Sequence, residues 1–244
     1  MAKTPAGVVQ VTRRIVSRSS VVRRLALSVA VVLALAASDP SDASAQRGGG
    51  RGRGGIQVMT LTSTAFADGG VIPDRYSQKG RDVSPPLAWT GAPDSTVSFV
   101  LIVHDADAAV GDGTDDMLHW LVWGIPGSAS SLPEGVPQGT LLPPAAIGVA
   151  APAGAEGGRG GRGGGRGGVR QISVSGPYYR GPAAPASGSP HHYVFDLYAL
   201  DVNITVQPSG QAAGPPTRAA VMEAMKGHIR GKATLVGTYR RPAP

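Results

Sequence analysis

VSFVLIV, residues 97–103, runs without a break into HDADAA, residues 104–109. The first seven residues are apolar apart from Ser98, rich in β-branched side chains and too short for an ordinary helix. They read as a strand buried on both faces. The runs HWLVWGI at 119–125, HYVFDLYAL at 192–200 and ATLVGTY at 233–239 have the same character. In the third of these, alternation with period two puts Tyr193, Phe195 and Leu197 on one face. Gly and Pro separate the runs from Ile56 onward, the pattern of an all-β sandwich or barrel. One helix is expected within TRAAVMEAMKGH, 217–228, with Thr217 as N-cap, Val221 and Met225 facing the core and Gly227 at the stop. His228 is expected to cap the last helix carbonyls.

The chain of 244 residues has one domain's worth of foldable sequence, placed at 56–241. Residues 1–45 read as an export signal, with Arg13, Arg14, Arg18, Arg23 and Arg24 ahead of the run Leu25–Ala37 and cleavage after Ala45. That run is too short to span a bilayer. Export predicts a periplasmic or secreted protein. Residues 46–55 form an Arg/Gly-rich disordered linker, and 141–168 a low-complexity Gly/Arg-rich insertion without periodicity. Zero cysteines exclude disulfides, thiolate catalysis and thiolate metal sites.

The formal charge of +7 suggests nucleic acid only until it is located. Six cationic residues against Asp39 and Asp42 give the first 45 residues +4, which leaves +3 for the rest. Removing the seven arginines of the two tracts leaves −4, so the folded body is mildly acidic. No aromatic is interleaved in the tracts to stack on bases, which argues against RNA and leaves weak contact with anionic lipid.

Chemically competent side chains gather at strand ends: HDADAA at 104–109, His119, and SPHHY at 189–193, with GPYYRGPAAP at 176–185 just upstream. Asp105 and Asp107 also suit a turn in which they bond their own backbone. His192 reads as an exposed strand residue, and neither Ser187 nor Ser189 acquires a nucleophile's geometry from proximity to His191 alone.

Seven pieces in this order resemble the phosphatidylethanolamine-binding protein family, also called Raf kinase inhibitor-like proteins, in its bacterial branch. They are LTSTAFADGGVIPDRY, DVSPPLAWTGAP, LIVHDADAA, LHWLVWGIP, RGPAAP, HHYVFDLYALD and GHIRGKATLVGTYRR. The resemblance implies a mainly β fold, a central antiparallel sheet flanked by a smaller sheet and C-terminal helix, with a small anion pocket at one edge. Carried over, the pocket residues are Asp105, Asp107, His119, Gly181, Pro182, His191 and Tyr193. Carboxylates beside His119 and His191 would ease their protonation, Gly181 would offer an uncluttered backbone donor, and Tyr193 a wall with a hydroxyl tip. Ala106 and Ala109 stand where the family carries prolines, which predicts a softer wall. The implied function is binding of a small anion or phospholipid headgroup, with modulation of a protein partner, no cofactor and no metal. A homodimer is compatible with this reading. The alternatives are a hydrolase or metal-dependent enzyme using the Asp/His cluster, and a protein inhibitor of a hydrolase.

Overall fold

The computed structural model describes residues 55–148, 168–208, 210 and 213–243. In chain order the strands are β1 (Gln57–Val58), β2 (Thr60–Thr62), β3 (Gly70–Val71), β4 (Leu87–Thr90), β5 (Ser98–Val110), β6 (Asp115–Pro126), β7 (Ser131–Leu132), β8 (Leu141–Leu142), β9 (Val169–Ile172), β10 (His191–Leu200) and β11 (Ile229–Tyr239), with helix α1 (Gly214–Met225) between the last two. The large sheet runs β1-β11-β10-β5-β6-β9-β8, and β3 also pairs with β11. It is antiparallel except at one edge, where β1 and β3 lie parallel to β11. A small sheet, β2-β4-β7, packs as a second layer.

The run at 97–103 is buried on both faces, as its composition requires. Phe99, Leu101 and Val103 enter the larger core with Trp89 and Leu61 of the small sheet. Val100 and Ile102 enter a second core with Val221 and Met225 of α1. Burying Phe99 or Phe195 stabilises the fold by about 2 kcal/mol each. Trp120 and Trp123 are also fully buried, and their indole N–H groups donate to Gln171 Oε1 at 2.8 Å and to the Val206 carbonyl at 3.1 Å. Large rings are therefore accommodated without stranded polar atoms at these two positions.

Three local expectations need correction. The helix starts at Gly214 with prolines in its first turn, where a missing N–H costs nothing, so Thr217 is not the N-cap. Thr217 is buried one turn in and donates its N–H to the Ala213 carbonyl at 3.0 Å. His228 turns its ring to Asp201, with Nδ1 2.8 Å from Oδ1, and leaves the helix carbonyls to its backbone N–H. The segment from Leu141 begins as sheet: β8 pairs with β9, and Ile147 is buried in a short 3-10 turn. The remainder of the insertion, 149–167, lies outside the described residues, as do the export segment and residues 46–54.

Candidate functional site

His119 reaches the site face through a β-bulge. The β5–β6 register pairs Val103 with Trp120 and then His104 with Leu118, so His119 is the extra residue on β6. Without the bulge, alternation would put His119 and Trp120 on opposite faces. With it, Trp120 enters the larger core and His119 lies edge-on to Tyr193 of that core, ring centroids 5.0 Å apart.

Asp105 is the register partner of Tyr193 and is almost fully buried. One carboxylate oxygen accepts the N–H groups of Asp107 at 3.0 Å and Ala108 at 3.2 Å. The other accepts Nδ1–H of His191 at 2.8 Å. Asp105 is therefore both a turn residue and a partner of the site histidine. His191 has no second hydrogen-bond partner among the described residues, and its side chain is 24% exposed, so Nε2 is the open end of the pair.

The same turn carries Asp107 away. It accepts the backbone N–H of His192 at 2.6 Å and faces His192 Nδ1 at 2.8 Å, on the exposed side of the strand. The His192 backbone and ring hold the Asp107 carboxyl below the ordinary carboxylate range. Successive strand residues face opposite ways, so His191 and His192 divide Asp105 and Asp107 between them. The structure brings Asp105, His119, His191 and Tyr193 together, with Asp107 outside.

The electrostatics differ from the sequence expectation at His119. Burial pushes its pKa down, against the Arg180 carbonyl and the Asp105 charge, which push it up. Its Nδ1 is 2.7 Å from the Arg180 carbonyl, which can only accept, so Nδ1 carries the proton and the neutral ring keeps a lone pair on Nε2. Desolvation outweighs the carboxylate because the ring is 2% exposed.

Gly181 is likewise not an uncluttered donor. Its N–H donates to Asp82 Oδ1 at 2.6 Å, and its carbonyl accepts Gln78 Nε2 at 2.7 Å. The Pro182 carbonyl accepts the Gln78 N–H at 3.1 Å. A Cβ at Gly181 would collide with the Tyr76 carbonyl and Asp82, so glycine is needed for close approach. Tyr193 hydroxyl accepts the N–H groups of Ala183 and Ala184, each at 3.2 Å. Burial, followed by the Asp105 charge, pushes the phenol pKa well up. Its tip is engaged in holding the glycine-proline loop.

Two residues not singled out in the sequence complete the site. Asp82, with φ of 54°, is the non-glycine left-handed residue among those described and fastens Gly181. Its signal was present in DVSPPLAWTGAP, as a lone acid before a proline pair. Arg180 donates its N–H to the His119 carbonyl at 3.0 Å, and its side chain reaches Ser175 Oγ. It was visible as the one cation within GPYYRGPAAP.

The opposite face of the sheet holds a second charge cluster. His104 Nδ1 lies 2.5 Å from Asp116, which Arg218 also grips, and its Nε2 lies 3.9 Å from Asp196. Asp196 meets Lys232 at 3.1 Å and accepts the hydroxyls of Thr234 and Tyr198. A cavity of about 760 Å³ opens beside this cluster, lined by Met117, Leu118, Arg218 and Met222, and contains none of the Asp105 group. Among the described residues no three His, Cys, Asp or Glu side chains are placed to hold a metal ion.

Comparison with known proteins agrees with this architecture. The family model described as phosphatidylethanolamine-binding protein matches residues 62–240. The chain is similar to a UPF0098 protein of Methanothermobacter thermautotrophicus, 35% identical over 181 residues, 74% of this chain and 98% of that protein. It is also 35% identical over 180 residues to a Mycobacterium tuberculosis protein designated lipoprotein LppC, covering 73% of this chain and 71% of that one. Among solved structures it is similar to a phosphatidylethanolamine-binding protein homologue of Chlamydia trachomatis, with TM-score 0.54 and 29% identity, covering 76% of this chain and 99% of that one. It shares the fold of Escherichia coli YbcL, with TM-score 0.53 and 21% identity, covering 75% and 98%.

Proposed function

The chain belongs to the phosphatidylethanolamine-binding protein family, and on that premise we propose that the Asp105, His119, His191 and Tyr193 cluster binds small anionic ligands of the phosphate-ester class, phospholipid headgroups included. The observation that carries this reading is the Asp105–His191 pair. A buried carboxylate fixes the Nδ1 end of the ring and leaves Nε2 as the end that meets a phosphate group.

Export to the periplasm or beyond is part of the proposal, supported by the amino-terminal segment and by the lipoprotein designation of the mycobacterial relative. Weak contact of the arginine tracts with anionic lipid and action on a protein partner extend the same reading. One observation favours a second reading, since a carboxylate-oriented histidine is also how hydrolases hold a general base. Against it, neither Ser187 nor Ser189 hydrogen-bonds to His191 among the described residues.

Isothermal titration of the purified chain with inorganic phosphate and with O-phosphoethanolamine tests the binding reading. Both bind, and Asp105→Asn weakens them about tenfold through loss of the oriented His191. Heat from neither ligand refutes it. Turnover of p-nitrophenyl acetate or phosphate that is abolished by Asp105→Asn would replace it with the hydrolase reading.

A further inference from the structure

We infer that Arg180 is the cationic anchor of this site, its guanidinium taking the phosphate group of the ligand; the inference rests on the binding reading above. Asp105 brings a negative charge, His119 is kept neutral by burial, Gly181 N–H is already given to Asp82, and the Tyr193 hydroxyl is engaged by two backbone N–H groups. An anion entering such a cluster meets one carboxylate and His191, and it needs a further cation close by.

Most cations in the folded body are committed. Arg75 is paired with Glu134, Arg218 with Asp116, Arg230 with Asp201 and Lys232 with Asp196. Lys79, Arg81, Arg240 and Arg241 are exposed, where water screens them. Arg170 and Arg180 are half-buried with no carboxylate in ion-pair range among the described residues; Arg170 lies opposite Trp123, whereas Arg180 adjoins His119. The Arg180 Nε is buried without a hydrogen-bond partner among the described residues, as are those of Arg170 and Arg218, and one Nη is on the neutral Ser175 hydroxyl. A guanidinium has five donors, and leaving a buried one unmade is costly, so the side chain is set to accept an oxyanion.

Its position relative to the cluster is held from both sides. The Arg180 N–H donates to the His119 carbonyl, and the Arg180 carbonyl accepts His119 Nδ1–H. The backbone of Arg180 is thereby clamped to the bulged residue that forms the site wall. The Arg180 charge also contributes to the downward push on His119. Arginine and histidine then divide the work: one holds the charge, the other remains a neutral wall.

The test uses wild type and the variants Arg180→Gln, Arg180→Lys and Ser175→Ala. Each is titrated calorimetrically with inorganic phosphate and, separately, sedimented with phosphatidylcholine vesicles with or without phosphatidylethanolamine, which distinguishes free phosphate from a lipid headgroup. Arg180→Gln loses about tenfold or more in affinity, Arg180→Lys keeps part of it because charge survives without the fork, and Ser175→Ala loses none. Wild-type binding that is unchanged in Arg180→Gln overturns the inference and leaves the binding reading intact. An equal loss in Ser175→Ala also overturns it, since loop shape would then be responsible. Failure of the wild type on every probe removes the binding reading and this inference together. Should Arg180→Gln not fold, the Arg180 Nε–H resonance of the wild type decides: it shifts on phosphate addition, and a static signal is a negative result.

Discussion

His104 and Asp105 are neighbours on β5 and point to opposite faces of one sheet, where each joins a cluster of histidine and aspartate. On the helix side each acid is paired among the described residues: Asp116 takes Arg218 and His104, while Asp196 takes Lys232 and two hydroxyls. Burial pushes the Asp116 carboxyl up, yet Arg218 and His104 pull it below its ordinary range. On the other side Asp105 holds one end of His191 and nothing described holds the other. Similar residue types thus give a structural strut on one face and a receptive group on the other. The difference lies in whether a lysine or arginine side chain pairs with the acid at the centre of the cluster.

Replacing the central acid on each face is the strongest way to break this contrast. Asp105→Ala strands His191 and the N–H groups of Asp107 and Ala108, and costs about 3 kcal/mol in denaturant unfolding together with phosphate binding. Asp116→Ala strands Arg218 and His104 and costs about 2 kcal/mol, with phosphate affinity unchanged by calorimetry. Loss of binding in both would mean that the faces are coupled. Gly181→Ala, forced against the Tyr76 carbonyl and Asp82, costs about 2 kcal/mol by thermal melting and lowers affinity by displacing the loop.

Acid acts on the Asp105 face through His119. The folded pKa of His119 is depressed below its unfolded value of about 6.5, so the unfolded chain binds more protons in that window. Stability associated with His119 is full above about pH 6.5 and is lost as pH falls through the folded value. Unfolding free energy measured against pH has a smaller slope there in His119→Gln. The smallest effect belongs to His192→Ala, which removes an exposed pair with Asp107 and shifts stability by no more than about 0.5 kcal/mol.

Strand content was legible because the buried runs at 97–103, 119–125, 192–200 and 233–239 are β-branched or aromatic and bounded by turns. Their ends were not, since β5 and β6 continue through polar residues to Val110 and back from Asp115 as a projecting hairpin. Hydrophobicity reports burial, and the hairpin tip is exposed. The helix start was misplaced because Thr217 suits an N-cap, although the preceding prolines fit only the first turn. Within the site, Asp105, His119, His191 and Tyr193 came from motif resemblance. The diversion of Asp107 and the capture of Gly181 N–H came from a turn and a distant loop, Asp82, that no local pattern connects. Arg180 was overlooked because an arginine beside Arg/Gly tracts looks unexceptional until its missing partner is seen.

The bulge on β6 has a consequence for how such a site is gained and lost. One residue, His119, accounts for the interruption between the Val103–Trp120 and His104–Leu118 pairs. Removing that residue would let the ladder close with every other pair kept, so a single in-frame codon separates a sheet that presents a histidine from one that does not. A lineage can therefore shed the ring and keep the scaffold, or acquire it in one step, without passing through an unfolded ancestor.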